Sequence, residues 1–259
     1  MKYYKNFKNM KKIVLLIIVM ITFSKVYSQH EETIKSDNDT LYFPTDVNKG
    51  SDKIIIDLFS DLWQGVPSNI KARGINQGFS TYFMTNYPIG FSNFSFAWGL
   101  GISCHNFYSD GVPVLERDAN NNPTGNTMFE TLGTHYQTKV NYTKNKLNIN
   151  YLELPIEFKF KSRDGHNRQL KFSFGFKVGY ELSNHTKYVG DDVLENTTDQ
   201  VTIKKSDIKN ISKWNYGVTA RIGRGMFNLF GYYSLSKIFD KDKGPQMYPI
   251  SVGISITPF

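Results

Sequence analysis

The chain has 259 residues, enough for one large domain or two small ones, and a formal net charge of +8. Six lysines lie in the first 28 residues, which contain no acidic residue, so residues 29–259 carry 25 basic against 23 acidic side chains. The positive charge therefore belongs to the N-terminus, and we expect no nucleic-acid partner. A single cysteine, Cys104, excludes an internal disulfide and a cysteine-based zinc cluster. A hydrophobic content of 40% with 15% aromatic residues and 20 glycines favours a β-protein.

The first 28 residues have the three-part pattern of a secretory signal peptide. A basic segment, 1–12, precedes an apolar run of 11 residues, 13–23, and a short polar stretch, 24–28. A membrane anchor is the alternative, but the run is well short of the ~20 residues that a spanning helix needs. We therefore expect cleavage between Ser28 and Gln29 and export of the mature protein.

Residues 29–51 are polar and have no hydrophobic periodicity. We interpret them as a flexible periplasmic leader. Residues 52–259 are then the folded domain, and the organisation predicted for the chain is a signal peptide (1–28), a leader (29–51) and one domain (52–259).

The domain is dominated by period-two alternation of apolar and polar residues, which predicts strands with one apolar face. The clearest segment is 170–182, where seven apolar residues at even positions alternate with Lys, Ser, Gly and Glu at odd positions. Seven further segments repeat the pattern. The eight predicted strands are 54–62, 79–87, 94–102, 152–160, 170–182, 214–222, 227–235 and 250–256.

The connections between these segments alternate in length. Short links at 88–93, 162–169 and 223–226 alternate with long ones at 64–76, 109–146, 184–213 and 240–246. All long loops then lie at one end of the sheet. The predicted fold is all-β, an eight-stranded antiparallel up-and-down transmembrane β-barrel with short periplasmic turns and long extracellular loops.

A soluble barrel is the alternative, and it would direct the apolar set inward. Gly and Ser are frequent at the alternate positions, which suits a crowded interior better than a water-exposed surface. Aromatic residues near the segment ends favour a membrane barrel with an interfacial girdle. The residues of this predicted girdle are Trp63, Tyr87, Tyr151, Tyr180, Trp214 and Tyr248.

The segment Asn-Tyr-Leu-Glu-Leu-Pro-Ile at 150–156 and the glycine-containing last strand at 250–259 carry a family resemblance. Together with the signal pattern and the eight strands, they resemble the outer membrane β-barrel family of Bacteroidota, which includes the PorT-like proteins. The resemblance covers residues 53–259 and implies a location in the cell outer membrane. The terminal Phe259 resembles the signal read by the barrel-insertion machinery. It implies that this machinery and the outer-membrane lipids are partners.

Nine charged residues fall on the polar phase and form a predicted barrel-interior cluster. They are Asp57, Asp61, Glu153, Glu157, Lys159, Lys171, Lys177, Glu181 and Arg221. They could line a pore, but an eight-stranded barrel is just wide enough for its side chains to fill it. We favour a plug of paired charges, because unpaired burial is costly. A turn centred near Gly165 places Glu153 opposite Lys177 and Lys159 opposite Lys171.

The five histidines lack metal-ligand spacing, so we expect no metal site, no cofactor and no enzyme activity. Ser103 and His105 share one face near the outer rim, as in a lipid-modifying enzyme, but five histidines would offer such a pair by chance. Three function classes remain. The first is a non-enzymatic barrel with a structural or docking role, with an envelope protein bound through its long loops and a possible link to secretion. The others are a narrow solute channel and an outer-leaflet lipid enzyme.

Overall fold

A computed structural model describes residues 53–90, 92–162, 170–193, 195 and 197–258. The predicted signal peptide, the cleavage site, the leader and Phe259 lie outside these residues. Among the described residues, no helix is long and apolar enough to cross a membrane. The elements are β1 (Ile54–Gln64), β2 (Gln77–Pro88), β3 (Phe94–Tyr108), β4 (Gly111–Arg117), β5 (Pro123–Thr131), α1 (Leu132–Tyr136), β6 (Tyr142–Lys161), β7 (Leu170–Asp192), β8 (Thr197–Ser206), β9 (Trp214–Arg224), β10 (Phe227–Ser234) and β11 (Tyr248–Ile256).

Eight of these strands close into an antiparallel barrel in the order β1-β2-β3-β6-β7-β9-β10-β11. The last strand pairs with the first, with Leu58 opposite Ile254 and Leu62 opposite Ile250, so the ring has no free edge. All eight predicted strands are present in this ring. The predicted up-and-down barrel is confirmed. We call the end with the short links the turn end and the other the loop end.

The loop end is more ordered than the sequence predicts. The segment 109–146 contains the β4-β5 hairpin and the one-turn helix α1. The segment 184–213 continues β7 outward to Asp192 and adds β8, which pairs with that extension. Strand β6 likewise begins at Tyr142, ten residues before its predicted start at Leu152. These extensions were missed because their outward faces are polar, unlike the strands from which the pattern was read.

The outward face of the ring is apolar over most of its height. On β7, Phe174 is 54% exposed, whereas its neighbour Ser173 is 7% exposed. The same order holds on β9, where Trp214, Tyr216 and Ile222 face outward. An apolar exterior around a polar interior is the arrangement of a membrane barrel and not of a soluble one.

The register between β6 and β7 differs from the prediction by two residues. Glu153 lies opposite Gly179, and Lys177 lies opposite Pro155. Lys159 is opposite Ser173, so the predicted pairing of Lys159 with Lys171 is wrong. The predicted turn centre at Gly165 lies outside the described residues, and the last pair before the turn is Lys161 with Lys171. Each one-residue displacement of a turn centre moves the partner strand by two residues.

Two residues assigned to the aromatic girdle lie inside the barrel instead. Tyr151 is 2% exposed, and Trp63 packs with Phe107 at a centroid distance of 5.4 Å. Side chains alternate between the inward and the outward face along each strand, and both residues occupy inward positions. Tyr87, Tyr180 and Trp214 do face outward.

Glycines on the inward face make room for large aromatic side chains. A Cβ at Gly101 would lie 2.4 Å from the Tyr82 ring, and one at Gly217 would lie 2.7 Å from the Tyr232 ring. These distances are far below a normal contact. The barrel interior is therefore filled by alternating small and large residues.

Candidate functional site: the charged barrel interior

The predicted interior cluster is buried as a whole. Each of its nine members is at most 6% exposed, although they come from four strands of the ring. Five of them are carboxylates and four are cations. Their side chains form ion pairs in the turn-end half and the middle of the barrel, which we call the interior charge network. Its nine residues are Asp57, Asp61, Glu153, Glu157, Lys159, Lys171, Lys177, Glu181 and Arg221.

Arg221 on β9 joins two carboxylates from other strands. Its Nη2 lies 2.7 Å from Asp57 Oδ2 and its Nε lies 3.3 Å from Asp57 Oδ1, which is a bidentate contact. Its Nη1 donates to Glu157. The guanidinium also lies over the Phe230 ring, 4.9 Å from the centroid. One cation therefore links β1, β6 and β9 across the lumen.

Lys177 and Glu153 form a second buried ion pair. Lys177 Nζ lies 3.0 Å from Glu153 Oε2 and 3.3 Å from the hydroxyl of Tyr82, which itself donates to Glu153. The ammonium sits 3.9 Å from the centroid of the Tyr232 ring. The pair is diagonal because the register places Gly179, and not Lys177, directly opposite Glu153. The sequence identified these partners but not their register.

Asp61 and His105 form a third contact nearer the loop end. His105 Nδ1 lies 2.9 Å from Asp61 Oδ2, and Ser251 donates to Asp61 Oδ1 at 2.6 Å. His105 is 2% exposed and packs against Phe59. The partner of His105 is thus an acid on β1, whereas the hydroxyl of Ser103 has no hydrogen-bond partner among the described residues.

The remaining members lie toward the two ends of the network. Lys159 lies 3.7 Å from Glu157, and Lys171 donates to Thr257 at 3.2 Å near the turn end. Toward the loop end, Glu181 accepts from Lys213, which is largely exposed. With Lys213 included, five carboxylates face five cations, so the interior carries little net charge.

Very little space remains between these side chains. A cavity at the turn end, lined by Glu157, Lys159, Lys171 and Arg221 among others, measures about 20 Å³. A volume of this size holds about one water molecule. This turn-end cavity therefore offers no room for a hydrated ion beside the charged groups.

Several polar partners in the network were missed from the sequence. Tyr82 and Tyr232 lie in strands whose alternation looks blurred, because both faces carry aromatic residues. The alternation along each strand identifies both as inward residues, because the outward residues of β2 and β10 are at odd positions and Tyr82 and Tyr232 are at even ones. Ser80 and Ser251 supply hydroxyl donors to Asp57 and Asp61.

An apolar cluster closes the loop end of the barrel above this network. Phe129 from the β4-β5 hairpin packs edge-on against Phe107 of β3 and against Phe239 of the last long loop, with centroid distances of 5.9 and 6.0 Å. We call this cluster the apolar cap. Its buried members are Ile70, Phe107, Phe129, Leu147, Ile149, Tyr151, Ile208, Ile211, Ile238, Phe239 and Met247.

The cap is held by hydrogen bonds between loops. Thr127 accepts at its hydroxyl from Asn210 Nδ2 at 3.0 Å, and its backbone N–H donates to Lys243 O at 2.8 Å. Ile211 and Phe239 form an isolated antiparallel bridge. Three long loops are therefore fastened to one another over the mouth of the barrel.

Among the described residues, no group of three or more His, Cys, Asp or Glu side chains is arranged to hold a metal ion. Cys104 lies at the upper edge of the apolar exterior, where Asn148 Nδ2 is 3.0 Å from its sulfur. The chemistry available inside the barrel is thus that of paired charges and hydroxyl groups.

Comparison with known proteins agrees with this geometry. No curated protein and no solved structure gives a significant match to the chain. The family described as "Outer membrane protein beta-barrel domain" matches residues 56–240, which runs from β1 to the loop after β10 and covers most of the chain. The chain therefore belongs to the outer membrane protein beta-barrel domain family.

Proposed function

We propose that the protein is a non-enzymatic outer-membrane barrel whose filled interior does not conduct and whose loops form a structural or docking platform in the cell envelope. The observation that carries the proposal is the pairing of Arg221 with both Asp57 and Glu157 across the lumen. Such a bridge stiffens a barrel, and it occupies the position that a permeation path would need.

Two features argue against the alternatives. A solute channel needs a continuous aqueous path, but the turn-end cavity is about 20 Å³ and the apolar cap covers the loop end. A lipid-modifying enzyme needs a nucleophile within reach of its substrate. His105 is buried and bound to Asp61, and the Ser103 hydroxyl is buried as well.

The argument for a docking role is that the loops at the loop end are held in one ordered arrangement. Loops that are fastened through Thr127, Asn210 and Lys243 present a preformed surface, which lowers the entropic cost of binding a partner. We further propose that the chain is a PorT-like protein of Bacteroidota with a secretion-associated envelope partner. This finer assignment is supported by the resemblance of residues 150–156 and of the last strand. Co-purification of the tagged protein from outer membranes tests it, with a protein cross-linked to residues of the β4-β5 hairpin as the expected result.

Conductance and stability measured together test the closed interior. The refolded wild-type protein should show no steady conductance in a planar bilayer. Lys177→Ala should lower the free energy of unfolding by ~3–5 kcal/mol, because it leaves the Glu153 carboxylate buried without its cation. Replacing both residues by small neutral ones should recover much of that loss.

The opposite outcome is also specific. Steady wild-type conductance, with Lys177→Ala changing ion selectivity and leaving stability untouched, would reject the closed interior in favour of the channel. A changed lipid A profile in a deletion strain, restored by the wild type but not by His105→Ala, would favour the enzyme. Lys205→Ala, an exposed lysine outside the barrel interior, is the control for the loss of one positive charge.

A further inference from the structure

Four cations are aligned on the outer wall of the loop end. Lys146 on β6 lies directly opposite Lys187 on β7, which lies directly opposite Lys204 on β8. On its other side Lys146 faces Tyr108 of β3, and the bridge between Ala72 and Ser109 places Arg73 beside Tyr108. We call Arg73, Lys146, Lys187 and Lys204 the cationic row.

The row faces away from the barrel interior. Along β6, the odd-numbered residues Asn145, Leu147 and Ile149 are buried, whereas Lys144 and Lys146 occupy the outward phase. The Tyr108 ring lies between two cations of the row, 5.5 Å from Arg73 Cζ and 5.6 Å from Lys146 Nζ, measured to the ring centroid. The ring thus helps to hold two positive groups on the same patch of wall.

The row brings like charges together, and the partner of the Lys146 ammonium is neutral, since Lys146 Nζ donates to Asn106 Oδ1 at 2.7 Å. Like charges directly opposite each other on a sheet are destabilising. In the part of the chain that the structure describes, none of Lys146, Lys187 and Lys204 has an acidic side chain within ion-pairing distance. Asp191, four residues beyond Lys187, instead accepts hydrogen bonds from Asn141 and Gln200.

Two titratable groups on this face respond to the same positive field. Burial lowers the pKa of His185, and Lys204, Lys146 and Lys187 lower it further. Burial likewise lowers the pKa of Lys146, with further lowering by Lys144, Lys187 and Lys204. The pKa of each group falls chiefly because burial disfavours the charged form, and the neighbouring lysines add to this lowering.

A cavity adjoins the row at its Arg73 end. It measures about 290 Å³, and its lining includes Lys71, Arg73, Lys144 and the aromatic residues Tyr108 and Tyr142. Asp110, beside it, already accepts a hydrogen bond from the Lys71 backbone at 2.8 Å. The cavity is lined by three cations and two tyrosines. Its volume and positive charge are sufficient for a phosphorylated sugar.

The position of the row along the wall indicates which anion it meets. The lipid-facing apolar residues end at Ile102 on β3, Leu152 on β6 and Leu182 on β7. Tyr108 and Lys146 lie six residues beyond Ile102 and Leu152, which corresponds to ~15 Å above the apolar edge for tilted strands. Asn106, Asn148 and His185 fill the interval. Flexible lysine side chains at this height reach the headgroup layer and not the hydrocarbon.

We propose that the cationic row and the adjoining cavity bind phosphate groups of outer-leaflet glycolipids. The occupant is a membrane lipid and not a soluble anion, because the row continues the lipid-facing strips of β3, β6 and β7. Each phosphate bridges neighbouring cations and so replaces their repulsion by charge-assisted hydrogen bonds. The lipids at this wall are held in place, and the strand extensions beside them are stabilised.

The test uses the refolded full-length protein in bilayer nanodiscs containing a small fraction of a phosphorylated lipopolysaccharide or its chemically dephosphorylated form. The amount retained by the protein is measured by native mass spectrometry. The variant is Lys146→Gln/Lys187→Gln/Lys204→Gln. The matched control is Lys205→Gln/Lys241→Gln/Lys243→Gln, which removes the same charge from exposed lysines outside the row.

Wild type and control should retain the phosphorylated lipid, and the row variant should bind it about 100-fold more weakly, at about fivefold for each cation removed. Dephosphorylation should lower wild-type retention to the level of the row variant. Equal retention by the row variant and the control would overturn the proposal. So would displacement of the lipid by millimolar inorganic phosphate, since the site would then belong to a soluble anion.

The folding of each variant is checked by the shift in gel mobility that folded barrels show without heating. Loss of repulsion should leave the row variant folded, and the single change Lys187→Gln gives a second measurement with a smaller expected loss. A fivefold loss for Lys187→Gln beside an unchanged Lys205→Gln supports the proposal, whereas equal values for the two reject it.

Discussion

The two halves of the barrel interior are filled in opposite ways. In the turn-end half, inward residues such as Asp57, Glu157 and Arg221 are charged and paired. In the loop-end half, inward residues such as Phe107 and Leu147 are apolar and covered by the cap. The same strands, β3 and β6, contribute to both halves. The difference shows that burial alone does not decide which residues fill a barrel.

What differs between the halves is the surrounding medium. Where lipid surrounds the wall, the outward face must be apolar, and polar groups can be satisfied only inside. Above the lipid, β6 has Lys144 and Lys146 outward and Leu147 and Ile149 inward, which is the order of a soluble sheet. Along β6, the apolar residues therefore change from the outward face to the inward face at the membrane boundary.

The largest expected effect is from removing the central cation of the charged half. Arg221→Met should lower the free energy of unfolding by the upper part of ~3–5 kcal/mol, because Asp57 then has only hydroxyl donors such as Ser80, while Glu157 keeps Lys159. Urea titration of the micelle-bound protein measures it.

The control for this change is Arg117→Met, since Arg117 is exposed on the β4-β5 hairpin and bonds only a backbone carbonyl. It should cost less than about 0.5 kcal/mol. Similar losses for the two arginines would mean that water and not Arg221 balances the interior carboxylates.

The apolar half should be destabilised by a cavity in the apolar cap. Phe129→Ala should cost ~3 kcal/mol, because Phe129 is 3% exposed between Phe107 and Phe239. Hydrogen exchange should show loosened loops at the loop end with an unchanged turn-end half. Met128→Ala, on the same strand but 39% exposed, is the matched control. Loosening of both halves would show that they unfold as one unit.

A third prediction locates the boundary between the two media. Phe176→Arg, near the middle of the apolar part of β7, should cost ~2–4 kcal/mol, whereas Leu182→Arg at its outer end should cost ~0–1 kcal/mol. Both residues face outward on the same strand. Refolding titrations into lipid vesicles measure the difference. A larger cost at Leu182 would move the boundary outward, toward the cationic row.

The smallest expected effect is at the tip of the β4-β5 hairpin. The backbone N–H of Asn122 donates to Asp118 at 2.8 Å, and this bond lowers the pKa of the Asp118 carboxyl. A lowered folded-state pKa means that the turn is stabilised above the ordinary aspartate pKa and loses this stability as pH falls through the lowered value. NMR shifts of Asn120 and Asn122 should report this transition, and Asp118→Asn should abolish it. A transition that persists in the variant would assign it to another group.

Much of the fold could be predicted from the sequence, because each membrane-facing strand carries an unbroken alternation. The segment 170–182 alone fixes which side chains of β7 face lipid. The interior position of Arg221 follows from the same phase. Its partners do not, because Asp57 lies 164 residues earlier and is reached across the lumen. That contact depends on strand tilt and stagger, which the phase of a single strand does not contain.

The loop end was predicted less well for a physical reason. At the loop end the apolar residues face inward and the polar residues face outward, which is the reverse of the membrane-facing segments. Tyr151 was therefore predicted to belong to the aromatic girdle, although it is an inward residue of the apolar cap. The cap also joins loops that are far apart in sequence, as Thr127 and Asn210 illustrate. Such contacts are tertiary and leave no local periodicity. The pairing of Glu153 with Lys177 was identified, but the register between β6 and β7 differs from the predicted one by two residues.

The pairing of β1 with β11 has a consequence for how the chain assembles. Asp61 on the first strand accepts a hydrogen bond from Ser251, 190 residues later. Asp57 on the same strand pairs with Arg221 of β9. The acids of β1 are thus made long before their partners and must stay hydrated until the final strands arrive. Contacts this distant in sequence form slowly. Satisfaction of the β1 acids is then among the last events of assembly, and a truncated chain without β9, β10 and β11 lacks both Arg221 and Ser251 for it.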